Sequence, residues 1–265
     1  MTTKKPSILF IHGYRGSHDG LAEVISYLPK DYDIHAPDIP PAGGKSLDAY
    51  DTASYTKYIA DYIKDNHLEK PILIGHSLGS IIASATAAAY PDLVNNKLVL
   101  LSPISKKPAK VFGWLTPLPA VLPVKTVDYI TTKYMSVSKD KDTFKKALSI
   151  TNVCSTSNKN KGDLWQAGKY SAFTAIPDFS FKKDTLIIAG EKDRLIPIKH
   201  IQALAKNIGA KLVIIPNTGH IMNYEVPAKV AEAIKKWLGR QDSNLRMLGP
   251  KPSALPLGDD PSSHN

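Results

Sequence analysis

Between Pro71 and Ala89 the chain reads PILIGHSLGSIIASATAAA, a stretch that very few backbone paths accommodate. Pro71-Ile72-Leu73-Ile74 is a short, aliphatic run entered through a proline, the pattern of a buried strand. From Leu78 onward, Ile81, Ile82 and the alanines predict a helix of small residues. Ser77 then occupies a strand-to-helix turn with no room for a loop. Such a turn forces unusual backbone angles on its central residue, and Gly75 and Gly79 remove side chains that would otherwise collide across it. The outcome is a hydroxyl presented at the top of a sheet, over the N-terminus of a helix, where a developing negative charge is favoured.

The same rhythm recurs along the chain. Strands are predicted at Ser7–Ile11, Asp33–Ala36, Ile72–Ile74, Leu98–Leu101, Thr185–Ala189 and Leu212–Ile215. Helices are predicted at Leu21–Leu28, Tyr50–Asn66, Leu78–Tyr90, Lys199–Asn207 and Pro227–Leu238. Short aliphatic strands separated by helices specify an α/β fold with a mostly parallel central sheet and helices on both faces. In such sheets ligands bind at the carboxyl ends of strands, and Ser77 lies at one such end.

The alternation breaks between residues 104 and 180. This segment opens with VFGWLTPLPAVLPV (Val111–Val124), whose prolines prevent a regular helix, and continues with helix-compatible, lysine-rich sequence. It reads as a largely helical cap inserted into a core made of residues 1–103 and 181–239. Phe112, Trp114 and Leu115 are candidates to line an acyl pocket, to hold the cap onto the body, or to do both. Residues 240–265 are rich in Gly, Pro and Ser without a periodic apolar pattern, and read as a disordered tail that carries no chemistry.

Net charge is +10, and the excess is uneven: residues 104–180 hold 12 lysines against 5 aspartates. That is either a solvated face or a means of weak attraction to anionic substrates or anionic surfaces. Nucleic-acid binding is not expected, because the same stretch has no arginine and no recognisable nucleic-acid module. Cys154 is the single cysteine, so no internal disulfide can form and a reducing, cytoplasmic location fits. The apolar run Ile8–Ile11 is too short for a targeting core and reads as a first strand. No apolar run approaches the roughly 20 residues of a membrane span, and no metal-ligand cluster or cofactor motif is present.

Four pieces, HGYRG near the start, then the GHSLG of the opening stretch, AGEKDRLIP and NTGH, occur in that order between residues 7 and 238. With them the chain resembles the α/β-hydrolase superfamily. The resemblance implies the chain order nucleophile, acid, histidine, here Ser77, Asp193, His220. A serine hydroxyl is a poor nucleophile until a neighbouring base takes its proton, and a neutral imidazole can do so near pH 7. Of the eight histidines, His220 lies in a loop after a strand, whereas His12 belongs to the His-Gly turn that the family uses structurally. His76 is adjacent to Ser77 and cannot reach round to it; with Tyr14 it is a candidate for the substrate-pocket wall. Glu191 and Asp184 flank the same strand as Asp193, but the family's Gly-x-x-Asp spacing from Gly190 selects Asp193. The resemblance also implies an oxyanion hole from the backbone N–H groups of Leu78 and Tyr14.

Together these readings predict a serine hydrolase that needs no cofactor and cleaves small-molecule esters of small to medium acyl chains. Dehalogenase and epoxide-hydrolase branches carry aspartate where this chain has Ser77. Lactonase, thioesterase and lysophospholipase use the same triad and stay open, as does a ligand receptor or binding scaffold built on the fold.

Overall fold

A computed structural model describes residues 5–105, 123–157, 161–176 and 183–239. The expectations placed on Phe112, Trp114 and Leu115, and on the tail 240–265, lie outside the described residues.

Six strands form one sheet: β1 (Ser7–Ile11), β2 (Asp33–His35), β3 (Ile72–His76), β4 (Lys97–Leu101), β5 (Asp184–Gly190) and β6 (Lys211–Ile215). Their order is β2-β1-β3-β4-β5-β6, and every pairing is parallel. The α-helices between and after them are α1 (Ala22–Ser26), α2 (Thr52–Asp65), α3 (Leu78–Ala89), α4 (Val124–Met135), α5 (Lys141–Ser157), α6 (Lys161–Phe173), α7 (Ile198–Ile208), α8 (Met222–Glu225) and α9 (Pro227–Trp237). Helices α4–α6 form the helical insertion between β4 and β5. Most predicted elements differ from these by a residue or two at their ends. The exception is the helix expected over Leu21–Leu28, which begins as a 3₁₀ turn at His18–Leu21 and is α-helical only over Ala22–Ser26.

Strand side chains alternate between two cores, as the two-residue strand period requires. Leu9, Ile11, Leu73, Leu98, Leu100, Ile187 and Ala189 face α2, α3 and α7. Ile8, Phe10, Ile72, Ile74, Val99, Leu101, Leu186 and Ile188 face α1 and α9. Both faces of the sheet are therefore covered, which is why its strands are continuous aliphatic runs. Helix α3 is buried on every side from Leu78 to Ala87. Its small residues allow that, and its serines close their own hydroxyls: Ser84 Oγ donates to the Ser80 carbonyl at 2.7 Å.

Because all six strands run the same way, the residues following β1, β3, β5 and β6 emerge at one edge. Tyr14, Ser77, Asp193 and His220 are those residues. Among the described residues no helix is long and apolar enough to cross a membrane.

Burial fixes how unevenly these strands tolerate change. Ile74, fully buried at the sheet centre, should lose about 2–5 kcal/mol on truncation to alanine. Ile214, on the β6 edge and 38% exposed, should lose well under that, about 0.5 kcal/mol or less. Urea denaturation of I74A and I214A measures the difference.

Candidate active site

Ser77 takes φ 52°, ψ −116°, a conformation that costs a non-glycine residue of order 1–3 kcal/mol. Its neighbours impose it. A Cβ on Gly75 would collide with the backbone of Gly79, and one on Gly79 would collide with the carbonyls of Ile11 and His12. The α3 backbone thus lies directly on β1 and β3, and the turn has one path. It is pinned further where Ser77 N–H donates to the Leu101 carbonyl at 2.9 Å.

Ser77 Oγ lies 2.9 Å from His220 Nε2, and His220 Nδ1 lies 2.8 Å from Asp193 Oδ2. All three residues are buried. A carboxylate only accepts, so these partners assign the proton to Nδ1 and leave the Nε2 lone pair facing the serine hydroxyl. The other Asp193 oxygen accepts from the N–H groups of Leu195 at 2.8 Å and Ile196 at 2.9 Å, which fixes the carboxylate. The two competing acids are elsewhere. Asp184 is exposed at the start of β5, and Glu191 accepts from the N–H of Asn217 at the surface.

A cavity open at its mouth lies over Ser77. Tyr14, Arg15, His76, Met135, Thr151 and Tyr224 contribute to its wall together with Ser77 and His220. Tyr14 and His76 are thus where the sequence expected pocket residues. Leu78 N–H is the first amide of α3, a position with no acceptor inside its own helix. Tyr14 sits in the turn closed by Gly16 N–H donating to the Gly13 carbonyl at 3.0 Å, and its hydroxyl donates to the Leu164 carbonyl of α6 at 2.9 Å.

Two other buried histidines are structural. Ile39 N–H donates to His12 Nε2 at 2.9 Å, so His12 is a neutral imidazole whose Nδ1–H donates to the Gly13 carbonyl at 2.8 Å. Burial pushes its pKa down. His76 Nε2–H donates to the His220 carbonyl at 3.1 Å. Burial, helped by the neighbouring His220, pushes the His76 pKa down to about 4.

Four residues that the sequence reading passed over tie this edge to the insertion. Arg15 Nη1, beside Tyr14, pairs with Asp128 Oδ1 of α4, and Asp128 is fully buried. His220 N–H donates to the carbonyl of Met135, the last residue of α4, at 3.0 Å. Glu225, at the end of α8, accepts from Gly219 N–H and from Val137 N–H, both at 2.7 Å. Helix α4 therefore touches both the loop after β1 and the loop that carries His220. Arg15 had one signal, as one of four arginines in a chain that otherwise uses lysine. Asp128 had none because its partner Arg15 is remote in sequence, and Glu225 had none because Val137, the group it ties to Gly219, is 88 residues away.

The family described as alpha/beta hydrolase fold matches residues 6–227. The chain belongs to that family. Among alpha/beta hydrolases, a Mycoplasma pneumoniae protein carrying an esterase/lipase name is 25% identical over 251 residues, covering 89% of this chain and 90% of that one. The Mus musculus monoacylglycerol lipase ABHD6 is 26% identical over 254 residues, covering 88% of this chain and 76% of its own. Among solved structures, an esterase from Exiguobacterium antarcticum superposes with TM-score 0.78 at 17% identity, covering 88% of this chain and 92% of its own. A thermophilic esterase from Thermogutta terrifontis gives 0.75 at 18% identity, covering 89% and 90%. At those identities the structural likeness shows the shared alpha/beta hydrolase fold. Among the described residues no cluster of histidine, cysteine or acidic side chains is arranged to hold a metal ion.

Two stability predictions follow from these contacts. His76 is neutral when folded, with a pKa near 4, but titrates near 6.5 once unfolded, so the unfolded chain binds the extra proton between those values. Stability should fall as pH drops from about 6.5 toward 4, and His76→Gln should flatten that part of a melting-temperature profile. Asp128→Ala leaves the Arg15 guanidinium buried without its partner and should cost about 3–5 kcal/mol. The apolar double replacement R15M/D128L should recover much of that loss in the same denaturation experiment.

Proposed function

We propose that the protein is a serine hydrolase that cleaves carboxylic esters of small to medium acyl chains through an acyl-serine intermediate. The reading rests above all on the unbroken chain of contacts from Ser77 Oγ through His220 to Asp193. Ser77 Oγ attacks the ester carbonyl carbon while its proton passes to His220 Nε2. Negative charge moves to the carbonyl oxygen, where the N–H groups of Leu78 and Tyr14 receive it; removing one such donor typically costs about 3–4 kcal/mol of barrier. His220 becomes an imidazolium beside the Asp193 carboxylate, which offsets the new charge. Collapse of the adduct breaks the C–O bond, and the departing alcohol takes the proton from Nε2. Water then attacks the acyl-serine, with His220 accepting its proton, and the carboxylic acid leaves as Ser77 is reprotonated.

Two things support ester chemistry at this site. The cavity over Ser77 is open at its mouth, with Tyr14, Met135 and Thr151 in its wall, so an ester carbonyl can reach the serine. The esterase and lipase names among the relatives point to ester chemistry as well. In this reading helices α4–α6 act as a cap over the strand ends, since Met135 and Thr151 contribute to the cavity wall.

A panel of p-nitrophenyl esters of increasing chain length tests the proposal. Ser77→Ala should lower kcat by at least about a thousandfold with an unchanged melting temperature. His220→Ala should do the same, and the double variant should lose little more, because the two groups act on one proton transfer. Wild-type turnover by Ser77→Ala would overturn the mechanism.

A further inference from the structure

The described residues expose seven large apolar side chains strongly, and five of them belong to the α4–α6 insertion: Tyr129, Ile130, Val153, Trp165 and Phe173. The same three helices and their connections carry eight exposed lysines, Lys125, Lys133, Lys139, Lys141, Lys145, Lys146, Lys161 and Lys169. Of the four aspartates there, Asp140 and Asp142 are exposed, while Asp128 and Asp163 are buried. The insertion thus turns its acids partly inward and its cations outward.

The two sets of side chains are interleaved at helical spacing. On α6, Lys161, Trp165, Lys169 and Phe173 stand four residues apart, so they form one stripe along the helix. All four are exposed, and Lys169 Nζ lies 5.9 Å from the Trp165 ring centroid. The opposite face of α6 is committed to the body. Leu164, Ala167 and Tyr170 are buried, Tyr170 packs against Tyr55, and Asp163 accepts from Ser46 Oγ at 2.6 Å. On α4 the order Lys125, Tyr129, Lys133 repeats the pattern, with Lys133 Nζ 5.7 Å from the ring centroid of Phe144. Exposed aromatic rings flanked by exposed lysines suit a helix face that meets a membrane interface. There the ring enters the headgroup layer while the ammonium stays with anionic headgroups.

We propose that the α4–α6 insertion docks the protein on anionic lipid bilayers through the Lys161–Trp165–Lys169–Phe173 stripe of α6, supported by Lys125, Tyr129 and Lys133 of α4. The occupant is chosen by charge: eight exposed lysines against two exposed aspartates call for an anionic partner, and rings set between the lysines call for a partner that is apolar just beneath its charge. A bilayer containing phosphatidylglycerol supplies both layers, whereas a free phosphate or a nucleic-acid backbone supplies the first alone. The docking is independent of the ester-cleavage reading, and its test reads binding without turnover.

The full chain carrying Ser77→Ala is sedimented with vesicles of phosphatidylcholine alone, or of phosphatidylcholine mixed with phosphatidylglycerol. Binding should appear on the mixed vesicles. It should weaken at least tenfold when salt is raised from about 0.1 M to about 1 M, where the Debye length falls from about 10 Å to 3 Å. K161E/K169E should bind the mixed vesicles at least tenfold more weakly. W165S/F173S should lower the binding that survives at high salt. Both pairs lie on an exposed face, so their melting temperatures should match the parent, and K125E/K133E gives a second charge test on a different helix. Equal binding to both vesicle types, or no loss in either charge-reversed pair, would overturn the proposal. So would a chain that self-associates through Trp165 and Phe173 while W165S/F173S still binds vesicles fully.

Discussion

The backbone of α3 rests directly on the ends of β1 and β3, and the remaining geometry of the site depends on that contact. With hydrogen in place of Cβ at Gly75 and Gly79, the helix can start within one residue of the strand. Starting so soon leaves Ser77 at a positive φ, its hydroxyl aimed away from the sheet and the first amides of α3 beneath it. The strain at Ser77 is held by a fully buried helix on one side and by the Leu101 carbonyl on the other. A larger residue at either glycine would move the helix, and with it the hydroxyl that the proposed chemistry uses.

What faces that hydroxyl is assembled from loops far apart in the chain. His220 follows β6 and Asp193 follows β5, and parallel pairing of those strands brings the two loops side by side. Each is then held by backbone groups: Asp193 by the amides of Leu195 and Ile196, His220 by the carbonyl of Met135. Through Met135, Asp128 and the segment that meets Glu225, helix α4 reaches both sides of the cavity. A helix that supports the site from the inside while carrying lysines and Tyr129 outside would couple the arrangement of the pocket to whatever surface the insertion meets.

The strands and helices were legible because their causes are local. The aliphatic run at Ile72–Ile74, the helix-compatible pattern at Tyr50–Asn66 and the proline that opens Pro227–Trp237 act within a turn or two of chain. Their ends were less so. The Leu21–Leu28 prediction missed the 3₁₀ turn at His18–Leu21, a region where Asp38 accepts from the His18 N–H and the buried Asn223 donates to the Gly20 carbonyl. The short helix Met222–Glu225 left no periodic trace in four residues, yet its last side chain bridges two loops.

The sequence by itself determined the order of elements, the two-faced sheet and the turn at Ser77, because period, glycine placement and side-chain size act on neighbouring residues. Ordered motifs further marked Asp193 and His220 as candidates without saying how near they lie. Only the tertiary structure decided how closely Asp193 meets the imidazole, which nitrogen of His220 faces the serine, and that Arg15 is matched by a buried aspartate from α4. Those are contacts between residues up to 143 positions apart, as for Ser77 and His220. They are set by strand order and by the cost of leaving a charge or an amide buried without a partner, neither of which is encoded in any single stretch of chain.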